Sequence, residues 1–348
     1  MIGESGLALD FERAKRILAE FVDHKNIDVY MQTTVVDVVM TEVKLEGVIV
    51  ATKEGQLYLR AETTVDATGD GDVAFLAGAR YEKGRNDGLM QPVTLEFTID
   101  QVNEAVAIAC IGDVDKVELN GKTFLEFCKE CSEIGLLPSN LAAVRLHRTT
   151  KPGERQVNTT QVNGIDATKV EHLFRAELEL RRQIDLLLEF FRKHLPGYEN
   201  CTFKASGTTI GTRETRRIMG EYLITAEELA EGKKFEDVVV HNAEFVVDIH
   251  NPEGPGQAEA HIQYVKPYDL PYRCLVPETV DGLLLAGRCI SGTHRAHASY
   301  RVMSICMAMG QAAGIAAALS AAERTIPRKI DIKQLQETMT EKGIDLFS

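Results

Sequence analysis

Residues 302–322, VMSICMAMGQAAGIAAALSAA, run without a single charged side chain. A helix of that length and character can cross a bilayer, so the chain must either place it in a membrane or build a core around it. Ala and Gly supply much of the run and Gln311 sits in its middle, so transfer into lipid gains little. The expectation is therefore a helix buried inside a protein and no membrane partner. Gly310, Ala313, Gly314, Ala317, Ala318 and Ala321 share one face of it, where another backbone or a bulky ligand can approach closely. A tightly packed core helix accounts for the same face equally well.

The segment just upstream is GLLLAGRCISGTHRAHASYR, residues 282–301. It reads as an apolar strand, then small residues, then the helix, whose N-terminus offers unpaired N–H groups and a positive dipole end. Arg288, His294, Arg295, His297 and Arg301 lie between strand and helix, a density of ionisable groups that a plain connection does not need. His exchanges protons near neutral pH and Arg holds carboxylates, so the set suits proton transfer beside an anionic substrate. A solvated surface turn is the plain alternative.

Elsewhere the pattern is mixed. Phe11, Ala14, Ile17, Leu18 and Phe21 fall at helical spacing behind Asp10, a plausible N-cap, which predicts a helix to about His24. Residues 27–68 alternate β-branched runs and read as short strands with turns at Glu46-Gly47 and Glu54-Gly55. QPVTLEFTID and DVVVHNAEFVVDIH are further strands. A long amphipathic helix starts at Asp166 or Thr168 and stops at Pro196-Gly197, and residues 251–271 form a Pro- and Gly-rich loop.

With 348 residues and 44% hydrophobic content the chain can bury a large core and form two domains. Its 39 basic and 52 acidic residues give a net charge of -13, which disfavours nucleic acid or an anionic membrane as the main partner. Seven scattered cysteines, at 110, 128, 131, 201, 274, 289 and 306, do not form a disulfide framework, and the N-terminus lacks the basic start and apolar core of an export signal. Both point to the cytoplasm.

Three motifs carry possible chemistry. GDGDVA, Gly69 to Ala74, matches the G-x-G-x-x-A form of a dinucleotide-binding loop. Asp70 and Asp72 would nevertheless put two negative charges where a pyrophosphate must sit, and only a short helical stretch precedes Gly78. In GTRETRRIMGEYLIT, Arg213, Arg216 and Arg217 stand beside Glu214 and Glu221; a helix would pair them at i,i+4, whereas an anion clamp would use Gly207 and Gly211 for close backbone approach. The pair Cys128 and Cys131 has no second Cys or His pair at finger-like spacing and sits in a helical pattern, so no metal site is expected. His147, His172, His194, His241, His250 and His261 show no ligand spacing.

Taken in order, VDATGDGDVAFLAGARYEKGR, GLMQPVTLEF, VNGIDAT, GTRETRRIMGEYLIT, PYRCLVPETVDGLLLAGRCISGTHRAHASYRVM and CMAMGQAAGIAAA resemble the FAD-dependent oxidoreductases of the glutathione-reductase-like and fumarate-reductase-like flavoprotein class. The resemblance covers about residues 8 to 340. It implies an α/β fold: an incomplete FAD/NAD(P)-binding, Rossmann-like domain over 1–85 and 275–348, with an inserted α+β substrate or cap domain over 86–274. It implies FAD as cofactor, lined by Thr68, Gly69, Asp70, Gly71, Gly287, Arg288, Ser291 and Gly292. Many relatives have Gly-Asp where this chain has Gly287-Arg288, so their carboxylate contact to the ribityl chain does not carry over.

Such enzymes open with a strand, a G-x-G-x-x-G loop and a helix that hold the ADP half of FAD, and this chain begins beyond that unit. The expectation is an N-terminally truncated flavoprotein, from a truncated chain, a misplaced start or a split gene. The reaction expected from the resemblance is oxidation of a small, anionic organic substrate, with electrons leaving to an unidentified acceptor. Arg213 and Arg216 would hold the anionic group, while His294 or His297, with Arg301, would move protons or stabilise the reduced, anionic flavin. The rival reading is a non-catalytic remnant, or half of a split enzyme that needs a complementing N-terminal fragment. A homo-oligomer is left open.

Overall fold

The computed structural model describes residues 10–108, 117–141, 143–256 and 263–347. Cys110 and His261 lie outside the described residues. Packing divides the chain into two compact units, one built on Gln91–Arg213 with the segments 10–29 and 250–256, the other on 30–90, 214–249 and 263–347.

In chain order the elements are α1 (Phe11–Val22), β1 (Thr34–Thr41), β2 (Lys44–Thr52), β3 (Gly55–Arg60), β4 (Thr64–Asp66), α2 (Asp72–Leu76), β5 (Tyr81–Lys83) and β6 (Phe97–Asp100). There follow β7 (Glu118–Leu119), β8 (Lys122–Thr123), α3 (Phe124–Glu133), β9 (Leu146–Arg148), β10 (Arg155–Val157), α4 (Val170–His194), β11 (Thr202–Ser206) and β12 (Arg216–Ile218). The last third holds α5 (Ala226–Glu231), β13 (Val238–Ala243), β14 (Tyr268–Pro271), β15 (Leu283–Leu285), α6 (His294–Tyr300), α7 (Met303–Ala322) and α8 (Ile332–Glu341).

The unit around Gln91–Arg213 is α+β. An antiparallel sheet of order β11-β6-β10-β9 carries Phe97, Ile99, Leu146 and Val157 into a core with the buried stripe of α4, which includes Ala176, Leu180, Leu187 and Phe191. The amphipathic period thus makes α4 the spine of the unit. Asp166 does not cap α4: its carboxylate accepts from Thr168 N and Oγ1, tying the preceding turn, and α4 opens at Lys169 without a side-chain cap. α1 opens at Asp10, which accepts from Arg13 N, and buries none of its residues. Cys128 and Cys131 lie buried and unoxidised on α3, which begins with a Thr123/Glu126 capping box.

The second unit contains the antiparallel sheet β1-β2-β3, the parallel pair β4-β15 and the helices α5 to α8. One expected turn moves: the chain reverses at Glu42-Val43, and Glu46-Gly47 lies inside β2. Gly47 is required for clearance rather than for turning, because a Cβ there would come within 2.3 Å of the Leu59 carbonyl oxygen on β3. The turn before Gly55 is where the pattern placed it.

Among the described residues α7 is the one helix long and apolar enough to cross a membrane, and only a third of it is buried in the protein. Its buried side is Ile305, Met309, Ala312, Ala313, Ala316 and Ser320. The expected close-packing face is therefore split: Ala313 is inside, whereas Gly310, Gly314, Ala318 and Ala321 are exposed, along with Met303 and Met307.

Candidate functional site

β4 and β15 run in parallel, with Thr64, Val65 and Asp66 opposite Leu283, Leu284 and Leu285. Both strands therefore end on the same side, and the loops that follow them, 67–71 and 286–293, emerge together. Asp66, fully buried, organises the first loop. Its carboxylate accepts from Thr68 N (3.0 Å), Thr68 Oγ1 (2.7 Å) and Ala74 N (2.9 Å), satisfying the start of α2 from the strand end.

Gly69 and Gly71 adopt left-handed φ values of 78° and 66°, so the chain turns sharply into α2. The two aspartates of GDGDVA are engaged. Asp70 Oδ1 accepts from Thr215 Oγ1 at 2.7 Å and pairs with Arg288 Nη2 at 2.9 Å. Arg216 Nη1 donates to the Asp70 carbonyl at 3.0 Å and to Asp72 Oδ1 at 2.8 Å, while its guanidinium lies 4.2 Å from the Phe75 ring centre. The loop is thus a cation-stapled turn, and α2 has only five residues.

On the second loop Gly287 also has a left-handed φ, 89°. Gly292 lies against the Tyr300 ring, where a Cβ would come within 2.6 Å. Its carbonyl accepts from Arg217 Nε at 3.1 Å, and Gly292 bridges Ile224. Thr293 then caps α6, its hydroxyl accepting from Ala296 N. The expected connection between strand and helix is itself partly helical: α6 precedes α7, from which Arg301 and Val302 separate it, so His294 lies in the first turn of α6 and Arg301 at its C-cap.

His294 Nδ1 lies 2.8 Å from Oε1 of Glu214, whose side chain is fully buried. The same carboxylate accepts from Arg217 Nη1, and Arg217 Nη2 donates to the Gly84 carbonyl at 3.0 Å. Of the two readings of this Arg-rich segment, the i,i+4 helical pairing does not occur. Residues 216–218 are strand β12, paired with β5, and Glu221 pairs instead with Arg328. His294 borders a cleft of about 1030 Å³ with Lys83, Arg85, Glu227 and Arg295.

His297 is 1% exposed and neither ring nitrogen has a hydrogen-bond partner among the described residues. Burial, and then the nearby charges of Arg301, Arg217, Arg288 and His294, hold its pKa well below the usual histidine value, so the ring is neutral. Arg301 Nη2 donates to the Asp248 carbonyl and to its carboxylate (3.1 Å), but among the described residues Arg301 Nε has no hydrogen-bond partner, nor do Arg288 Nη1 and Ser291 Oγ. Buried polar atoms left without partners are costly, and four residues of one loop-helix segment carry them here.

The second unit therefore holds Thr68, Gly69, Asp70, Gly71, Arg216, Gly287, Arg288, Ser291, Gly292, His294, His297 and Arg301. Arg213 belongs to the other unit, where its Nη1 donates to the Pro92 carbonyl at 2.7 Å and it borders a small polar cavity with Arg145 and His250. Sequence reasoning missed Asp66, Thr215 and the role of Glu214, since nothing local in TRETRR announces a partner 80 residues away. Among the described residues no group of three or more His, Cys, Asp or Glu side chains is arranged to hold a metal.

The family model described as FAD dependent oxidoreductase matches residues 3–339. The chain belongs to that family. Its cofactor is FAD, and the fold is of the FAD-binding, Rossmann-like α/β kind. Similar solved structures include a geranylgeranyl bacteriochlorophyll reductase-like protein from Thermoplasma acidophilum (12% identity, TM-score 0.45, 95% of this chain and 59% of that one). A flavin-dependent brominase triple mutant (11%, TM-score 0.42, 95% and 59%) and a myxobacterial chondrochloren halogenase described as FAD-dependent (14%, TM-score 0.38, 94% and 54%) are further examples. The chain thus spans under two thirds of the length of these structures. No curated protein matches it. The unpartnered atoms suit such a cofactor: Arg288 and Arg301 donate, and Ser291 and His297 donate or accept, as a polar heteroaromatic ring and a polyhydroxy chain require.

Proposed function

We propose that this protein is an FAD-dependent oxidoreductase that oxidises a small, anionic organic substrate in the cytoplasm and passes the electrons to a separate acceptor. The observation that carries this reading is the set of unpartnered buried polar atoms on Arg288, Ser291, His297 and Arg301. Those residues would hold the cofactor, together with the loops Thr68–Gly71 and Gly287–Gly292. FAD, when bound, supplies the acceptor for a hydride equivalent; the chain supplies binding, orientation and proton movement.

His294 is the residue placed to take a proton, because it is held by Glu214 and borders the cleft, whereas His297 is sealed from it. The charges lining that cleft are largely paired, Arg85 with Asp87, Arg295 with Glu227 and Arg217 with Glu82 and Glu214, so the anionic substrate rests on the family resemblance. Arg216 is engaged with Asp70 and Asp72, so its part is to staple the loop. The seven scattered cysteines, an odd number without the spacing of a disulfide framework, support the cytoplasmic reading.

The test is flavin content and turnover. Purified protein supplied with FAD should retain a flavin absorbance band through gel filtration, and Ser291→Val with Arg288→Met should lose it. Flavin bound equally by both proteins would remove the proposal.

The alternative, a flavin-free half of a complemented enzyme, is supported by the exposed Gly310, Gly314, Ala318, Met303 and Met307 face of α7. A strand pair as short as β4-β15 also belongs to a class of parallel sheets that normally has both faces covered. Copurification with a protein that restores flavin binding would favour it.

A further inference from the structure

We infer that Glu214 is a positioning residue that fixes His294 in one tautomer, with Nδ1 protonated and the Nε2 lone pair presented to the cleft. The inference rests on the reading of His294 as the proton-transfer group given above.

Glu214 sets the constraint on the ring. Its side chain is fully buried, and a buried carboxylate must be matched by donors and by positive charge. Arg217 provides both. That guanidinium is itself only 3% exposed, and its other nitrogens are also committed, Nε to the Gly292 carbonyl and Nη2 to the Gly84 carbonyl and, at 3.4 Å, to the Glu82 carboxylate. Arg217 is therefore a fixed counter-charge beside Glu214.

A carboxylate accepts and does not donate, so the 2.8 Å contact requires the proton on His294 Nδ1. With Nδ1–H committed, the neutral ring keeps its lone pair on Nε2. The backbone that carries the ring is fixed as well: Thr293 N donates to the Ile224 carbonyl at 3.0 Å, and Thr293 caps the helix that His294 begins. The charged groups around the ring are Glu82, Lys83, Arg85, Asp87, Glu227 and Arg295 in the cleft, Arg217 beneath it, and His297 one turn along α6. Among the described residues, the side chain that holds His294 is Glu214. His297, by contrast, has no partner on either nitrogen and nothing that selects a tautomer.

Long-range proton–nitrogen NMR of the histidine-labelled full chain tests this, with the His294 signals assigned by their loss in His294→Gln. At a pH where imidazoles are neutral, the expected wild-type pattern is a protonated-type Nδ1 and an unprotonated-type Nε2. Glu214→Gln should collapse that pattern toward an average of the two tautomers, while Glu214→Asp should keep it. Once a substrate is in hand, Glu214→Gln should lower kcat by 100-fold or more and change KM less than threefold. An averaged or Nε2-protonated His294 in the wild type overturns the positioning role, and this measurement needs no variant of Glu214 to fold. A locked tautomer with full turnover in His294→Gln upholds the positioning role and overturns the proton-transfer reading instead.

Discussion

Arg288 Nη2 and Asp70 Oδ1 lie 2.9 Å apart although 218 residues separate them in the chain. The pair joins the loops after β4 and β15, the two strands whose parallel pairing creates the site. It also gives the carboxylates of GDGDVA a part in the fold: Asp70 receives Arg288 and Asp72 receives Arg216.

Removing one partner of a half-buried, charge-assisted pair leaves the other desolvated. Asp70→Ala should destabilise the protein by about 1–2 kcal/mol in chemical denaturation, counting the Thr215 hydroxyl that also loses its acceptor. It should also loosen flavin binding, because Arg288 loses its anchor. A midpoint of unfolding equal to that of the wild type would show that the loops are held by other contacts.

His297 gives a pH signature. Its folded pKa is depressed, so at pH values between the folded and unfolded values the unfolded chain binds the extra proton. The stability contribution is then complete above the unfolded value near 6.5 and is lost as pH falls below it, with a slope of up to about 1.4 kcal/mol per pH unit. His297→Leu should remove that slope between pH 6.5 and 5, measured by urea unfolding of the flavin-free protein.

In the α+β unit, Arg155 is wholly buried and is bound by Glu104, whose pKa falls to about 2 chiefly through its hydrogen bonds from Arg155. A depressed carboxylate stabilises above its unfolded pKa and loses that contribution as pH falls through the folded one, so this contact weakens from about pH 4.5 downward. Glu104→Gln leaves a buried guanidinium without its counter-charge and should cost about 3 kcal/mol at neutral pH. Thermal unfolding of the variant checks it.

Gly47→Ala should be among the most damaging single-methyl additions, because its Cβ would meet the Leu59 carbonyl at 2.3 Å and β2 is held on both sides by β1 and β3. A loss of about 2–4 kcal/mol is expected, read as a drop in the unfolding midpoint. Gly55→Ala, with nothing near its Cβ, is the comparison that separates clash from turn preference.

Much of the architecture was legible because it is local. Asp10 capping α1, the amphipathic stripe of α4 and the paired cysteines on α3 follow from periods and side-chain chemistry within a few residues. Errors arose where one residue type serves two purposes. Gly47 has the look of a turn glycine and works as a clearance glycine, and TRETRR has the charge spacing of a helix yet is extended and enters strand β12 at Arg216, since β5 offers Arg216 and Arg217 a ladder that sequence spacing does not reveal. The uncharged run of α7 announces a helix but not which of its faces is covered.

The sequence alone determined the family, the α/β class and the segments that bear the ionisable groups, because those reside in composition, spacing and motif order. Only the tertiary structure decided which ionisable groups meet. It gave Asp70 to Arg288, Glu214 to Arg217 and His294, and no partner to His297. The physical reason is burial: removed from water, each charge must find its complement wherever the fold brings one, and those complements lie up to 218 residues away.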